Sequence, residues 1–155
     1  MTQFFAQNGG IILRLVVAIG LGMVIGAERL LVHKEAGMKT HALVAMGSAL
    51  FVIVSEYLYL IYSSVSGFNP AIIASNIIVG IGFLGAGSII FHKSRLTGLT
   101  TAGGLWVTAG IGMATGFGLF SLAAISTLLV LIIFIVVNVF EKPIRRIAGD
   151  EELNK

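Results

Sequence analysis

Stretches of apolar residues, separated by short polar segments, dominate the pattern along this chain. A transmembrane helix needs about 20 consecutive, mostly apolar residues, with a range of roughly 17 to 25. Five stretches reach or approach that length, so the pattern predicts an all-α bundle of five membrane-spanning helices. They cover residues 11–27, 42–62, 71–91, 102–117 and 119–140. The fourth is rich in glycine, and a re-entrant loop is the alternative for it.

Residues that commonly begin or end helices agree with these limits. Thr40 and Thr101 precede the second and fourth stretches and are predicted N-caps. Asn69 followed by Pro70 is typical of a cap and the first helical residue. Pro143 follows the fifth stretch and predicts that the last helix ends before it.

The positions of the Lys and Arg residues predict an orientation. Cytoplasmic loops of membrane proteins carry an excess of these residues. Here they occur in the first loop, the third loop and the C-terminal segment, which share one side, and the opposite side has none. The N-terminus is therefore expected outside the cell and the C-terminus in the cytoplasm. Residues 1–142 form the predicted transmembrane domain, and residues 143–155 form a short cytoplasmic tail.

Composition agrees with a membrane protein and excludes other classes. Hydrophobic residues make up 57% of the chain, charged residues only 11%, and the mean hydropathy is +1.01. Soluble domains have about 25% charged residues. The basic residues are scattered between apolar runs, so nucleic-acid binding is not expected. The predicted location is the bacterial inner membrane, which the chain crosses several times.

Small residues recur at intervals that favour close helix packing. Gly22 and Gly26, like Gly112 and Gly116, are four residues apart, a spacing that lets helix backbones approach each other in lipid. Residues 80–85 have the letters of a dinucleotide-binding fingerprint, but they lie within a predicted span, so packing explains them better. The glycines predicted to pack are Gly22, Gly26, Gly80, Gly82, Gly85, Gly87, Gly112 and Gly116. They predict a tight bundle and allow a homodimer.

Two ionisable residues lie inside predicted spans, where a charge costs about 2.5–3.5 kcal/mol and is a functional candidate. Arg14 is near the outer end of the first span, and Glu56 is about two turns from the outer end of the second. Their similar depths predict an ion pair. The alternative is that each side chain reaches the outer interface separately.

The inner boundary of the first two spans has the richest polar cluster. It is either an interfacial anchor or a site for a cation, a proton or an anionic partner. Glu28 is the best metal candidate, because Mg²⁺ prefers carboxylate oxygens, but the sequence does not identify a metal. No catalytic set of side chains is present, so neither enzyme activity nor a cofactor is expected. The predicted functional residues are Arg14, Glu28, Arg29, Lys39, Thr40, His41 and Glu56.

Four ordered blocks of sequence resemble the MgtC/SapB family of inner-membrane proteins. They are Arg14-Leu15 with Ile25-Gly26-Ala27-Glu28-Arg29, residues 36–44 (AGMKTHALV), residues 80–87 (GIGFLGAG), and residues 98–102 (GLTTA) with Leu105-Trp106. The resemblance covers residues 11–140. Two departures are Lys39, where members usually have Arg, and Asn76, at a position associated with Gln. Lysine keeps the charge of arginine but lacks its planar fork of donors.

The resemblance implies a protein connected with magnesium limitation, stress adaptation and, for some members, virulence. It implies modulation of other membrane machinery, including ATP synthase and ion transporters, rather than a demonstrated transport activity. Longer members add a soluble C-terminal domain, and this chain is expected to be a short form. We therefore expect a non-enzymatic modulator that contacts membrane lipids and other membrane proteins. The alternative is a small magnesium or proton transporter with Glu28 and Glu56 on its path.

Overall fold

The fold consists of five α-helices and one short β-hairpin. It is seen in a computed structural model that describes residues 2–63, 69, 71–92 and 95–152, with side chains described for 8–63, 69, 71–91 and 96–140. The elements are α1 (Thr2–Leu31), α2 (Met38–Tyr62), α3 (Ala71–Gly87), β1 (Ile90–His92), β2 (Arg95–Thr97), α4 (Leu99–Gly116) and α5 (Phe120–Glu152). The predicted helical bundle is confirmed, because each apolar stretch corresponds to one helix, but the β-hairpin between α3 and α4 departs from the all-α prediction.

Three of the described helices are long and apolar enough to cross a membrane. These segments are Asn8–Leu31, Met38–Tyr62 and Phe120–Phe140. Helix α3 is apolar but has only 17 residues. Glycine and threonine residues make the mean hydropathy of α4 low. Even so, α4 has buried residues from Thr101 to Gly116 and contacts the other four helices. It is the central helix of the bundle.

The third apolar stretch is shorter as a helix than predicted. Helix α3 ends at Gly87, and the chain turns there because Ser88 N and Ile89 N donate to the carbonyls of Gly85 and Ala86. Strand β1 then pairs antiparallel with β2, so the expected helix over residues 88–91 is wrong. A short apolar run such as Ile89-Ile90-Phe91 suits a strand as well as a helix, and its periodicity does not distinguish the two.

The predicted caps of α2 and α4 are also wrong. Helix α2 is capped by Gly37 and α4 by Gly98, which places Thr40 and Thr101 inside the first turns. Gly98 has φ +88, and a Cβ on it would collide with the Ser88 carbonyl oxygen. The backbone conformation therefore requires glycine, which overrides the general preference for a threonine cap.

The other two predicted boundaries differ in outcome. Asn69 Oδ1 accepts a hydrogen bond of 2.9 Å from Ala71 N, the first residue of α3; Pro70 lies outside the described residues. Pro143 does not end the last helix, because α5 continues to Glu152. Proline removes one main-chain hydrogen bond and can bend a helix without ending it. The structure does not describe the side chains of residues 141–152 or any part of residues 153–155, so the side chains of the predicted tail lie outside the described part of the chain.

Candidate functional site

A charged pair is buried where α1 ends. Glu28 is 9% exposed and Arg29 is 1% exposed, and the Arg29 Nε–H donates to Glu28 Oε2. Burial of an unpaired charge is costly, so each side chain provides the counter-charge that the other needs. The predicted interfacial cluster thus contains a side-chain pair enclosed by protein rather than an open anchor.

Helix α5 closes this site over the guanidinium group. The Arg29 Cζ lies 3.5 Å from the centre of the Phe134 ring, so the cation packs on an aromatic face. Gly104 of α4 faces the same ring, because a Cβ on Gly104 would be 3.2 Å from Phe134 Cζ. Phe134 and Gly104 were not among the predicted site residues. Both lie in apolar stretches, and nothing in the sequence marks them as site residues. Only the packing of α4 and α5 brings them to Arg29.

His41 of α2 completes the site from the opposite helix. It is fully buried, and its Nδ1 lies 3.0 Å from the Gly37 carbonyl oxygen. A carbonyl only accepts, so Nδ1 carries the hydrogen and Nε2 is an acceptor in the neutral ring. Within the described residues, His41 Nε2 and Arg29 Nη2 are buried without a partner. The imidazole nitrogen is a free acceptor and the guanidinium nitrogen a free donor, so the site can bind a further hydrogen-bonding group.

Two glycines of α1 bring α2 close enough to form this site. A Cβ on Gly22 would lie 2.5 Å from the His41 carbonyl oxygen, and one on Gly26 would lie 2.5 Å from Met38 Cα. Any side chain at either position would push the start of α2 away. The small-residue spacing therefore serves the polar site directly, because it sets the distance between His41 and α1.

A second polar site lies toward the other end of α1. Arg14 Nη1 donates to Glu56 Oε2 at 2.5 Å and to the Gly116 carbonyl oxygen at 2.9 Å. The sequence allowed either an ion pair or two side chains that reach the interface separately. The structure contains the ion pair. Gly116 is the last residue of α4, where carbonyls lack helical partners and a cation is favourable. Arg14 therefore fastens α1, α2 and α4 together.

The seven predicted functional residues do not form one cluster. Glu28, Arg29 and His41 meet at one end of α1, and Arg14 and Glu56 meet about 22 Å away, given 1.5 Å per helical residue. Lys39 and Thr40 are exposed, and their side chains make no hydrogen bond among the described residues. Within that same part of the chain, no group of three or more His, Asp or Glu side chains is arranged to hold a metal.

The predicted packing glycines also separate into two groups. Gly112 and Gly116 face the α2 backbone at Ala45 and Ala49, as Gly22 and Gly26 face its start. A Cβ on Gly85 would make ordinary contact with Ala102 of α4, at 3.6 Å. The other three, on α3, have no atom within 4 Å of a Cβ position. They are Gly80, Gly82 and Gly87, and in the described part of the chain they do not pack against another helix.

Comparison with known proteins decides the family. The sequence profile of the MgtC family matches residues 15–143, which is most of the chain. The chain belongs to the MgtC family. The matched part contains the Glu28–Arg29 pair, His41 and Phe134, so the buried site of this MgtC family member lies wholly within the family region. The resemblance inferred from the four sequence blocks is confirmed.

Curated relatives of this MgtC family chain are longer than the region they share with it. YhiD of Escherichia coli strain K12, whose name describes a proposed magnesium transporter, is 44% identical over 128 residues, or 79% of this chain and 60% of YhiD. MgtC of Salmonella typhimurium strain LT2 is 43% identical over 120 residues, or 77% of this chain and 49% of that protein. The chain spans about half to three fifths of these relatives. No solved structure matches it significantly.

Proposed function

We propose that this chain is a non-enzymatic, multi-pass protein of the bacterial inner membrane that modulates other membrane machinery when magnesium is scarce. Membership of the MgtC family and the three long apolar helices support a membrane protein connected with magnesium. Candidate partners are the rotary ATP synthase and ion transporters, as the family resemblance implies. The long relatives exceed this chain, so the proposal concerns the membrane region alone.

The proposed topology has five crossings, an outside N-terminus and a cytoplasmic C-terminus. Contacts of α4 support its being a full crossing rather than a re-entrant loop. Its Gly104 lies beside His41, and its Gly116 is bound by Arg14. These two residues are twelve positions apart in α4, or about 18 Å along that helix, which is more than half of a hydrocarbon core of about 30 Å. The weak hydropathy of α4 is accounted for by its central position, since half of its residues are buried against the other helices.

The main support for this proposal is that the charged side chains form ion pairs at two separate depths of the bundle. Glu28 is bonded to Arg29 and Arg14 to Glu56. Between these levels the helices have no ionisable side chain. The buried hydroxyls of α4 are satisfied within their own helix, because Thr108 and Thr115 donate to carbonyls four residues earlier. Transport paths usually place polar sites near the bilayer midplane, so this interior favours a modulator.

Magnesium or proton transport is the second candidate. It is favoured by the burial of Glu28 next to Arg29 and His41, whose unpaired nitrogens give the site capacity for a further hydrogen-bonding group. The name of YhiD also points to magnesium transport by that relative. A dimer of this chain would be needed to enclose a continuous polar path, because one chain has none between the two charged levels.

Measuring magnesium and proton flux into liposomes distinguishes modulation from transport. The purified chain would be reconstituted with a magnesium-sensitive or pH-sensitive dye inside the vesicles, beside Glu28→Gln and the exposed control Glu35→Gln. We expect no flux above that of protein-free vesicles. In a bacterium lacking its own family member, the same chain should restore growth at low magnesium, and Glu28→Gln should restore less.

Saturable flux that is lost in Glu28→Gln but retained in Glu35→Gln would replace modulation with transport. Absence of flux together with restored growth would support modulation. Circular dichroism of each purified variant, matched to the wild type, ensures that folded proteins are compared.

A further inference from the structure

The N-terminus of α4 has free main-chain donors. The first helical hydrogen bond runs from Ala102 N to the Gly98 carbonyl, so the N–H groups of residues 99–101 have no partner within the helix. No side chain among the described residues caps them. The helix has 18 residues, so its dipole adds positive potential at this end. Backbone donors of this kind suit an oxygen anion such as a phosphate.

A polar cavity of about 190 Å³ opens onto these donors. Thr101 lines it and is only 5% exposed, yet its hydroxyl has no hydrogen-bond partner in the described part of the chain. Thr100 lies beside it, and the loop after α1 contributes Lys34 and His33 to the opposite wall. A hydroxyl that faces a cavity and has no protein partner is able to bind a ligand or water there. Together these groups offer donors and a positive charge to one small volume.

An apolar groove continues from this polar cavity. A second cavity of about 400 Å³ shares Thr101 and Ser88 with the first and has Phe83 and Leu84 in its wall. Leu84 in turn lines a groove of about 480 Å³ between α2 and α3, whose lining is almost entirely apolar. Gly80 belongs to that groove and leaves it open, since nothing lies within 4 Å of a Cβ there. The result is a polar end joined to a long apolar channel.

We propose that these cavities form a binding site for one phospholipid molecule. The phosphate binds the free N–H groups of α4, the Thr101 hydroxyl and Lys34, and an acyl chain lies in the α2–α3 groove. Glu35 also lines the polar cavity, and its carboxylate would repel a purely anionic headgroup. An amine-bearing headgroup resolves this, because its ammonium can face Glu35 while the phosphate faces the helix. Gly80 and Gly87, two of the open glycines of α3, line these cavities and thereby gain a role that helix packing does not give them.

Native mass spectrometry of the detergent-purified protein, titrated with phosphatidylethanolamine, measures this binding. Wild type should retain one lipid molecule. Lys34→Gln and Thr101→Val should each weaken retention on the order of tenfold, since hydrogen bonds to a charged group are strong. Lys39→Gln, which removes an exposed charge outside the three cavities, should leave it unchanged. If Thr101→Val fails to fold, the surface variant Lys34→Gln still provides the comparison.

The apolar part of the site has its own variant. Gly80→Leu should fill the groove and lower retention, whereas Gly110→Leu, at a similarly open position that lines none of the cavities, should not. Inorganic phosphate at the same concentration should not displace the lipid. Equal retention by wild type, Lys34→Gln and Gly80→Leu would overturn the proposal. Displacement by inorganic phosphate would also overturn it, because it would show a site for free phosphate instead.

Discussion

At the scale of single residues, the chemistry of this chain is concentrated in side chains that satisfy one another away from water. Arg29 donates to Glu28, and the same guanidinium rests on Phe134. Lysine in place of Arg29 would provide charge without the planar surface that packs on the ring. The pair is therefore specific for arginine in both its hydrogen bond and its stacking.

A double-mutant cycle tests this interdependence of Glu28 and Arg29. Arg29→Met leaves the Glu28 carboxylate buried without a cation, and loss of one partner of a buried pair costs about 3–5 kcal/mol in the free energy of unfolding. The double variant Glu28→Gln/Arg29→Met has no buried charge and should recover much of that loss. Unfolding of the detergent-purified proteins measures each step. The exposed control Lys39→Met should change stability by less than about 0.5 kcal/mol.

A double variant no more stable than Arg29→Met would show that the stacking on Phe134, and not the charge pairing, is what matters at this site.

The sequence predicted which residue types matter here better than it predicted their partners. Glu28 and Arg29 are identifiable because they are the charged residues that directly follow the first apolar stretch. Phe134 is not, because one phenylalanine in the apolar α5 differs from its neighbours only in what α1 and α4 place beside it. Arg14 was paired with Glu56 by depth, but its bond to the Gly116 carbonyl depends on the position of α4. Local sequence does not contain that information.

At the scale of elements, glycine determines how closely α2 approaches its two neighbours. On one side Gly22 and Gly26 of α1 face it, and on the other side Gly112 and Gly116 of α4 do. The four-residue spacing was sufficient to predict these two surfaces. The same spacing argument was too general for α3, because three of its four glycines face open space. Spacing shows that a close approach is possible, and tertiary structure decides whether a partner helix is there.

Two glycines of α4 provide a matched test of this packing. Gly112→Ala places a Cβ against the Ala45 carbonyl, and inserting a methyl group into packed structure costs about 1–3 kcal/mol. Gly110→Ala, one half-turn away, meets no atom within 4 Å and should be neutral or stabilise the helix by up to about 1 kcal/mol. Thermal unfolding in one detergent measures both. Equal destabilisation by the two substitutions would show that α2 and α4 do not pack through Gly112.

At the scale of the whole molecule, the open question is how many helices cross the bilayer. Hydropathy and length select α1, α2 and α5, whereas α3 is short and α4 is too polar. Position in the bundle leads to a different conclusion, because α4 extends between the two polar levels of α1. A helix that packs against four others exposes little of its surface to lipid. It can therefore cross the bilayer although its mean hydropathy is low. This arrangement supports the proposed five crossings, in which α1, α2 and α4 share both polar levels.

Single introduced cysteines measure the crossings without interference, because the chain has no cysteine of its own. The substitutions are Leu31→Cys at the last residue of α1, Ser63→Cys after α2 and Leu119→Cys between α4 and α5, and all three positions are exposed. A membrane-impermeant maleimide applied to intact spheroplasts should label Ser63→Cys and Leu119→Cys. Leu31→Cys should react only after the membrane is opened.

Leu119→Cys decides between the two topologies, since the other two positions have the same location in both. If α4 crosses, Leu119 lies outside with Ser63. If α4 enters and returns, Leu119 lies inside with Leu31. In that case Arg14 would have to be on the cytoplasmic side to reach Gly116, while Arg29 lies on the same side at the other end of α1. One helix of about 22 Å between those residues cannot satisfy both, so labelling of Leu119→Cys only from inside would contradict the packing of α4 as well as its topology.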